Sequence, residues 1–389
     1  MKTLKNNILI IGGAGRVGLP LGLMLLLKNF KITIYDTNKK AVNKIKNKII
    51  IYKEKNSKNI INKIKNKKKK LYFINDLKNL RQFDTIIISI NTPVSSYGKM
   101  KNKNFLNILK NMTKHGLNNK QLIIIRSSIP VGFSRAIIKK LNNHKNIAYC
   151  PERIAQGYAF EETPKLSQII ATDNYAAKKK ASNIFNKISK KILFCKFEEA
   201  ELIKLISNSY RYIHFSIANH FYRLLSANGY EFNNLRKIMS ESYFRNSSIP
   251  QAEITCGPCL QKDTQMLKSF FKNFKFGDLA ISENKKLIDN MIEKVVKKNK
   301  SKTIGIFGLT FKKDSDDTRD TYIGYIIKKL KKNNFSILIS DPNYKGKFFM
   351  NLKNNSPEYV LKNTEKVIIL TKHSCFEKFF KNKKTIYVK

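Results

Sequence analysis

A chain of 389 residues, 42% hydrophobic and 11% aromatic, can bury more than one core, so two or three domains are expected. Five cysteines are too few, and odd in number, for a disulfide framework and fit a reducing compartment; no run of 18 or more apolar residues offers a membrane span. The net charge of +49 keeps an anionic partner open, but it is nearly all lysine, scattered among asparagine and isoleucine, which reads as a solvated surface rather than a nucleic-acid reader's clustered arginine.

The N-terminus, MKTLKNNILIIGG, carries basic and then apolar residues, as a signal peptide does. Glycines and Arg16 interrupt the run, and no clean cleavage site follows. A soluble cytoplasmic protein is expected, with no membrane partner and no specific nucleic-acid partner.

NILIIG (7–12) reads as a strand, GAGRVGLPLGLMLLL as a glycine turn entering an apolar helix, and KITIYD (31–36) as a second strand. This βαβ unit contains Gly13, Gly15 and Gly18 in the spacing GxGxxG. The first glycine permits a tight turn, the second a close approach of backbone to a pyrophosphate, and the third close packing of helix on strand. Asp36 ends the second strand roughly 20 residues on, where a carboxylate holds the adenosine ribose hydroxyls. It also disfavours a 2′-phosphate, so NAD is expected over NADP, with Lys39 and Lys40 pulling the other way. The alternative is a glycine-rich packing turn.

The lysine-rich run KIKNKKKKLYF (63–73) reads as the end of a polar helix entering a strand. Buried parallel strands follow at DTIIISI (84–90), QLIIIRSS (121–128) and NIAYC (146–150), ending in the loops NTP (91–93), SSIPVG (127–132) and PER (151–153). Ligands of doubly wound sheets collect at such carboxyl ends. From about residue 198 to 229 the pattern is one long helix, in which Lys204 and Asn208 share a face; on their own they read as solvated. After about residue 300 alternation restarts with TIGIFGL (303–309), a helix at 322–333, SILISDP (336–342) and VIILT (367–371). This is a second Rossmann-like domain whose first turn, GLTFKKDSDDTRD (308–320), carries charge in place of GxGxxG, suggesting a different ligand or none.

Cys256-Gly257-Pro258-Cys259 has the form of a thioredoxin redox site, but lies deep in the chain after a polar loop. LQKDTQMLKSFFKNF (260–274) reads as a helix, putting Cys259 at its N-terminus, where the dipole and Lys262 favour thiolate. A dinucleotide fold with an activated cysteine suggests aldehyde oxidation through a thiohemiacetal and thioester. Cys256 reads as a small packing residue, and Cys150, Cys195 and Cys375 as buried. No Cys/His set has zinc spacing, so no metal is expected.

With these segments in view, the chain resembles the UDP-glucose/GDP-mannose dehydrogenase family over nearly its whole length. The matching stretches are GGAGRVGLP, NTP, SSIPVG, PERIAQG (151–157), EAELIKLISNSYR (199–211), GPCLQKD (257–263) and GLTFKKDSDDTRD. The resemblance implies an α/β protein with an N-terminal Rossmann NAD-binding domain (1–195), a central helical dimerisation region with one long helix (196–298) and a C-terminal Rossmann-like nucleotide-sugar domain (299–389). It implies NAD-dependent, two-step oxidation of the C6 alcohol of a UDP-sugar to a carboxylate by a homodimer.

Carried over residue by residue, Cys259 is the nucleophile, Lys204 and Asn208 stabilise an oxyanion, Asp263 serves thioester hydrolysis and Glu152 is an acid/base. Gly13, Gly15, Arg16, Val17, Gly18, Asp36, Thr92 and Ser128 match cofactor positions. Glu152, Arg153, Lys204, Asn208, Arg245, Gly257, Lys312 and Arg319 match substrate positions. Ser128, Phe133, Gln156, Lys313 and Glu253 depart from the usual residues, and the chain stops at TIYVK, slightly short of the usual end. PERIAQG with GPCLQKD is closer to the UDP-N-acetylhexosamine branch than to the UDP-glucose branch, so UDP-N-acetylmannosamine or UDP-N-acetylglucosamine is expected. UDP-glucose oxidation, an inactive nucleotide-sugar-binding relative, a lysine-rich nucleic-acid binder and a thioredoxin-like thiol exchanger are the alternatives.

Overall fold

The computed structural model describes residues 7–48, 50–95, 97–299 and 301–386. Residues 1–6 of the basic leader, and the last three of TIYVK, lie outside them. The chain divides into two compact units, residues 1–206 and 207–389.

The first unit is built on β1 (Asn7–Ile11), β2 (Lys31–Tyr35), β3 (Tyr72–Phe73), β4 (Thr85–Ile88), β5 (Leu122–Ile125), β6 (Ile147–Tyr149), β7 (Ser167–Ala171) and β8 (Lys191–Cys195). Among the described residues they form one sheet in the order β3-β2-β1-β4-β5-β6-β7-β8, parallel except where β6 meets β7. That order reverses between β1 and β4, the point where a doubly wound sheet opens a crevice. Isoleucine-rich runs such as LIII of β5 are buried along their whole length, because helices cover both faces. The helices are α1 (Gly18–Leu27), α2 (Lys39–Lys48), α3 (Ser57–Asn66), α4 (Lys103–Lys114), α5 (Phe133–Lys140), α6 (Ala159–Glu162) and α7 (Tyr175–Phe185). Leu19, Leu23 and Leu26 of α1 pack with Ile8 and Ile10 of β1 and Ile32 and Ile34 of β2.

Helix α8 (Phe197–Ala227) begins in the first unit and ends in the second. The second unit continues with α9 (Phe232–Ser240), α10 (Leu260–Phe270) and α11 (Lys275–Lys298). A smaller parallel sheet follows, made of β9 (Thr303–Phe307), β10 (Ser336–Ser340), β13 (Lys366–Ile369) and β14 (Thr385–Ile386) in the order β10-β9-β13-β14. Between them lie α12 (Ile323–Lys332), the hairpin of β11 (Phe348–Phe349) with β12 (Leu352–Lys353), and α13 (Pro357–Lys362). Leu287, Ile288 and Ile292 of α11 share a core with Ile304 and Ile306 of β9 and Ile326 of α12.

Three differences from the sequence reading stand out. The helix expected over 260–274 stops at Phe270, since Phe271 is extended and a turn leads into α11. The β7–α7–β8 unit carried no clear signal, because the edge strand β8 leaves Leu193 and Phe194 exposed. Of the three cysteines expected to be buried, only Cys150 is; Cys195 is half-buried, and Cys375 is exposed on a single 3-10 turn, Ser374–Phe379.

Candidate functional site

In the first unit the residues expected around the cofactor gather at the carboxyl ends of β1, β2, β4 and β5. The left-handed residue of the glycine turn is Gly12 (φ +79°), where a Cβ would stand 2.3 Å from the Ser89 carbonyl oxygen. The tight turn expected of Gly13 therefore belongs to its neighbour; Gly13 instead leaves room for Ile34. A Cβ on Gly18 would lie 2.5 Å from the Gly12 carbonyl oxygen, so α1 starts hard against the turn. No side chain caps α1 and no acidic residue sits in its first turn, leaving the positive end of the helix to an anion. Asp36 accepts from Ala14 N (3.1 Å) and Asn38 N (2.9 Å), which aims its carboxylate at the turn. Arg16 lies over the Tyr52 ring at 4.6 Å, and Val17 is exposed at the helix start. Thr92 donates to the Ser128 carbonyl oxygen (2.6 Å), tying the β4 and β5 loops together. The close glycine turn, uncapped helix and aimed carboxylate fit a dinucleotide: pyrophosphate on the α1 N–H groups and ribose on Asp36.

The PER loop is anchored by a cation the sequence reading did not single out. Arg126, at the end of β5, pairs with Glu152 and donates to the Cys150 carbonyl (3.0 Å) and to Gln168 (2.6 Å). The other Glu152 oxygen accepts from Arg153 N (2.8 Å) and Ile154 N (3.0 Å), and the Arg153 guanidinium donates to Ser167 O (2.7 Å). Glu201 of α8 was also missed. It is fully buried and accepts from Gly132 N (2.6 Å) and Ser134 N (2.8 Å) at the start of α5. Burial pushes its pKa up against those bonds. Lys204, one turn further along α8, is 8% exposed, and among the described residues no hydrogen bond or ion pair reaches its amine.

The second unit holds the cysteine. Cys259 precedes α10 and is exposed, and Asp263, fully buried in the first turn, donates its N–H to the Cys259 carbonyl (2.9 Å). Asn208 of α8 donates to Asp263 Oδ2 (2.6 Å), so the structure brings Asn208, Asp263 and the Cys259 turn together. Lys262, read as a neighbour of the sulfur, lies 2.9 Å from Asp263 Oδ1. Cys256 is unlike Cys259: its thiol donates to the Phe311 carbonyl (3.4 Å), and burial pushes its pKa up to about 12.

Gly257 has φ +98° and donates to the Asp320 carbonyl (2.9 Å), while the Phe311 ring fills the place of any side chain. Arg319 makes a two-pronged pair with Asp317, and Lys312 acts electrostatically on Glu253 together with Lys372 and Arg211. Arg245 lies in an exposed 3-10 turn, stacked over Phe244 at 4.8 Å. Of the departures, Lys313 pairs with Glu377 (3.0 Å) and Phe133 packs edge-on to Phe105.

The C-terminal sheet repeats the first unit's geometry with a different outcome. Asp341 ends β10 as Asp36 ends β2, but it is fully buried, accepts from Leu309 N (2.6 Å), Thr310 N (3.2 Å) and Asn343 N (2.8 Å), and lies 3.2 Å from His373 Nε2. It orders the 308–320 loop, its buried carboxylate turned to the protein's own N–H groups. Among the described residues no cluster of three His, Cys, Asp or Glu is placed to hold a metal ion, and no helix is long and apolar enough to cross a membrane.

Three profiles of one family match the chain: the UDP-glucose/GDP-mannose dehydrogenase family NAD binding domain at residues 6–189, its central domain at 198–295 and its UDP binding domain at 305–388. The UDP-N-acetyl-D-mannosamine dehydrogenase of Methanocaldococcus jannaschii is 28% identical, covering 98% of this chain and 90% of that protein. The UDP-glucose 6-dehydrogenase of Campylobacter jejuni is 31% identical over 64% of each. A UDP-glucose dehydrogenase structure from Pyrobaculum islandicum superposes with a TM-score of 0.87 at 18% identity, covering 100% of this chain and 95% of that one, a likeness of fold. With profiles spanning both units, the chain belongs to the UDP-glucose/GDP-mannose dehydrogenase family, whose N-terminal domain binds NAD.

Proposed function

We propose that the protein oxidises the C6 alcohol of a UDP-sugar to the carboxylate, with two hydrides passing in turn to two molecules of NAD and Cys259 holding the carbon between the steps. The observation that carries this reading is the assembly at Cys259: an exposed thiol at a helix N-terminus, one turn from a buried Asp263 that is bonded to Asn208. NAD, when bound, supplies the hydride acceptor.

The chain's own residues do the rest. The Cys259 sulfur adds to the C6 aldehyde, and after the second hydride leaves, the carbon is a thioester. Asn208 and Lys204 supply N–H donors to the developing oxyanion. Asp263, whose carboxylate is fixed by Asn208 and Lys262, orients the hydrolytic water and takes its proton. Glu152, pinned by Arg126 and two backbone N–H groups, exchanges a proton near the alcohol. Lys312 and Arg319 supply cations for the diphosphate end, and Arg153, Arg245 and Gly257 contact the sugar nucleotide. The domain limits 1–195, 196–298 and 299–389 follow the same reading.

UDP-N-acetylmannosamine is the favoured substrate, because relatives covering most of the chain, such as that of M. jannaschii, carry that name. UDP-glucose is the second reading, on the relative from C. jejuni. NADH formation with each UDP-sugar in turn decides between them: a preference for UDP-glucose would overturn the first. A homodimer is proposed from Tyr210, Ile217, Phe221 and Leu224, exposed apolar residues along one face of α8.

A further inference from the structure

The turn that carries Cys259 is reached through residues 249–256, a run with no helix or strand of its own. Such segments usually leave their backbone to solvent. Two asparagines hold this one. Asn219 of α8 donates its amide to the Glu253 carbonyl (2.9 Å) and accepts from Glu253 N (2.9 Å). Asn284 of α11 does the same two residues on, donating to the Thr255 carbonyl (2.7 Å) and accepting from Thr255 N (2.9 Å). Both asparagines are fully buried. A carboxamide presents the donor and acceptor of a peptide group, so each serves the backbone as a neighbouring strand would. The backbone also fixes which way each amide points, since its N–H can only donate and its C=O only accept.

The fastening continues to the cysteine. The Cys256 thiol donates to Phe311 O (3.4 Å), Gly257 N donates to Asp320 O (2.9 Å), and Cys259 then opens α10. Beyond Cys259, Asp263 is bonded to Asn208 of α8 (2.6 Å). Asn208 and Asn219 are eleven residues apart. That spacing is about three turns, so the two share a face of α8 about 16 Å apart along its axis. Helix α8 therefore holds the chain six residues before Cys259 and four residues after it, and α11 adds a third point. An asparagine buried this far costs stability unless both its polar groups are met, which favours the one placement of the run that meets them.

We propose that Asn219 and Asn284 are positioning residues for the Cys259 sulfur: by fixing residues 253–255 they set where it waits for the aldehyde. This rests on the reading of Cys259 as nucleophile. In the step concerned the thiolate forms a C–S bond to the aldehyde carbon, and the carbonyl pair moves to oxygen, which takes a proton. A displacement of about 1 Å is enough to slow such a step about a hundredfold.

The test is the fate of the aldehyde. Limiting UDP-N-acetylmannosamine, UDP-N-acetylglucosamine and UDP-glucose are each oxidised with excess NAD and hydroxylamine, which condenses with free aldehyde to an oxime and water. The parent should form two NADH per sugar and little oxime from the sugar it oxidises. Asn219→Ser and Asn284→Ser, each keeping one bond of the two, should fall towards one NADH per sugar, with oxime making up the difference and the KM for NAD unchanged. Should one of them not fold, the other, on a different helix, gives the same reading. Glu283→Gln, next to Asn284, weakens the same pair of helices without touching residues 253–255 and should stay at two. Two NADH per sugar from the serine variants, or an equal shortfall in Glu283→Gln, overturns the proposal. Cys259→Ser separates the two levels: two NADH per sugar from it removes the nucleophile reading and this inference with it, as does a parent that oxidises none of the three sugars. If Cys259→Ser is silent while the serine variants match the parent, only the role of the asparagines falls.

Discussion

Two thiols three residues apart are prepared for different work. Burial pushes the Cys256 thiol up to about 12 and aims it at a carbonyl, while Cys259 lies exposed at the start of α10. Nucleophilicity needs the anion and access to it, and of the two thiols Cys259 has the greater access. Cys259→Ala should cost about a thousandfold or more in NADH formation, whereas Cys256→Ala should stay within a few-fold. Equal loss in both would revive the thiol-exchange reading.

Gly257→Ala is expected to be severe, because the residue is held at φ +98° with the Phe311 ring where a methyl group would go. The backbone strain alone is about 1–3 kcal/mol, so its melting temperature should fall well below that of the parent. That Cys259, Asp263 and Asn208 lie together was legible at this scale because each sits in a short motif. Arg126, Glu201 and the turn made by Gly12 were not, since their roles come from partners tens of residues away.

Among the elements, α8 and α11 are joined by one carboxylate. Glu283 of α11 accepts from His220 (2.9 Å) and Arg223 (2.8 Å) of α8 and from Lys286 (2.8 Å). Burial works to raise its pKa, and the bonds from Lys286, His220 and Arg223 overcome it, bringing it down to about 2. The unfolded chain's glutamate titrates near ~4.3, so this contribution to stability is present above that pH and is lost as pH falls towards about 2. Chemical denaturation should find Glu283→Gln less stable than the parent at pH 7, with the gap narrowing below about pH 4 and closing only towards about pH 2. A gap that stays constant would contradict the assignment. The parallel strands and α8 were legible from unbroken apolar runs and helical spacing. The β7–α7–β8 unit was not, because a solvent-facing edge strand lacks the apolar continuity that marks a buried one.

For the whole molecule, the exposed apolar residues concentrate on 206–279, whereas the lysines are spread along the whole chain. The proposed self-association face accounts for the first: on that reading Phe221→Asp with Leu224→Asp should turn a dimeric parent into a monomer in sedimentation experiments, and a parent that already sediments as a monomer contradicts it. Dispersed lysine predicts weak oligonucleotide binding that vanishes with modest salt, and a tight complex surviving physiological salt would argue for a nucleic-acid partner. The account's most direct test is a count of reduced cofactor. A limiting amount of each UDP-sugar in a panel is consumed with excess NAD, and the NADH formed is compared with the sugar added. Two NADH per sugar, with a uronate as product, is the result predicted for at least one UDP-sugar; one NADH per sugar with an aldehyde released, across the panel, would contradict it.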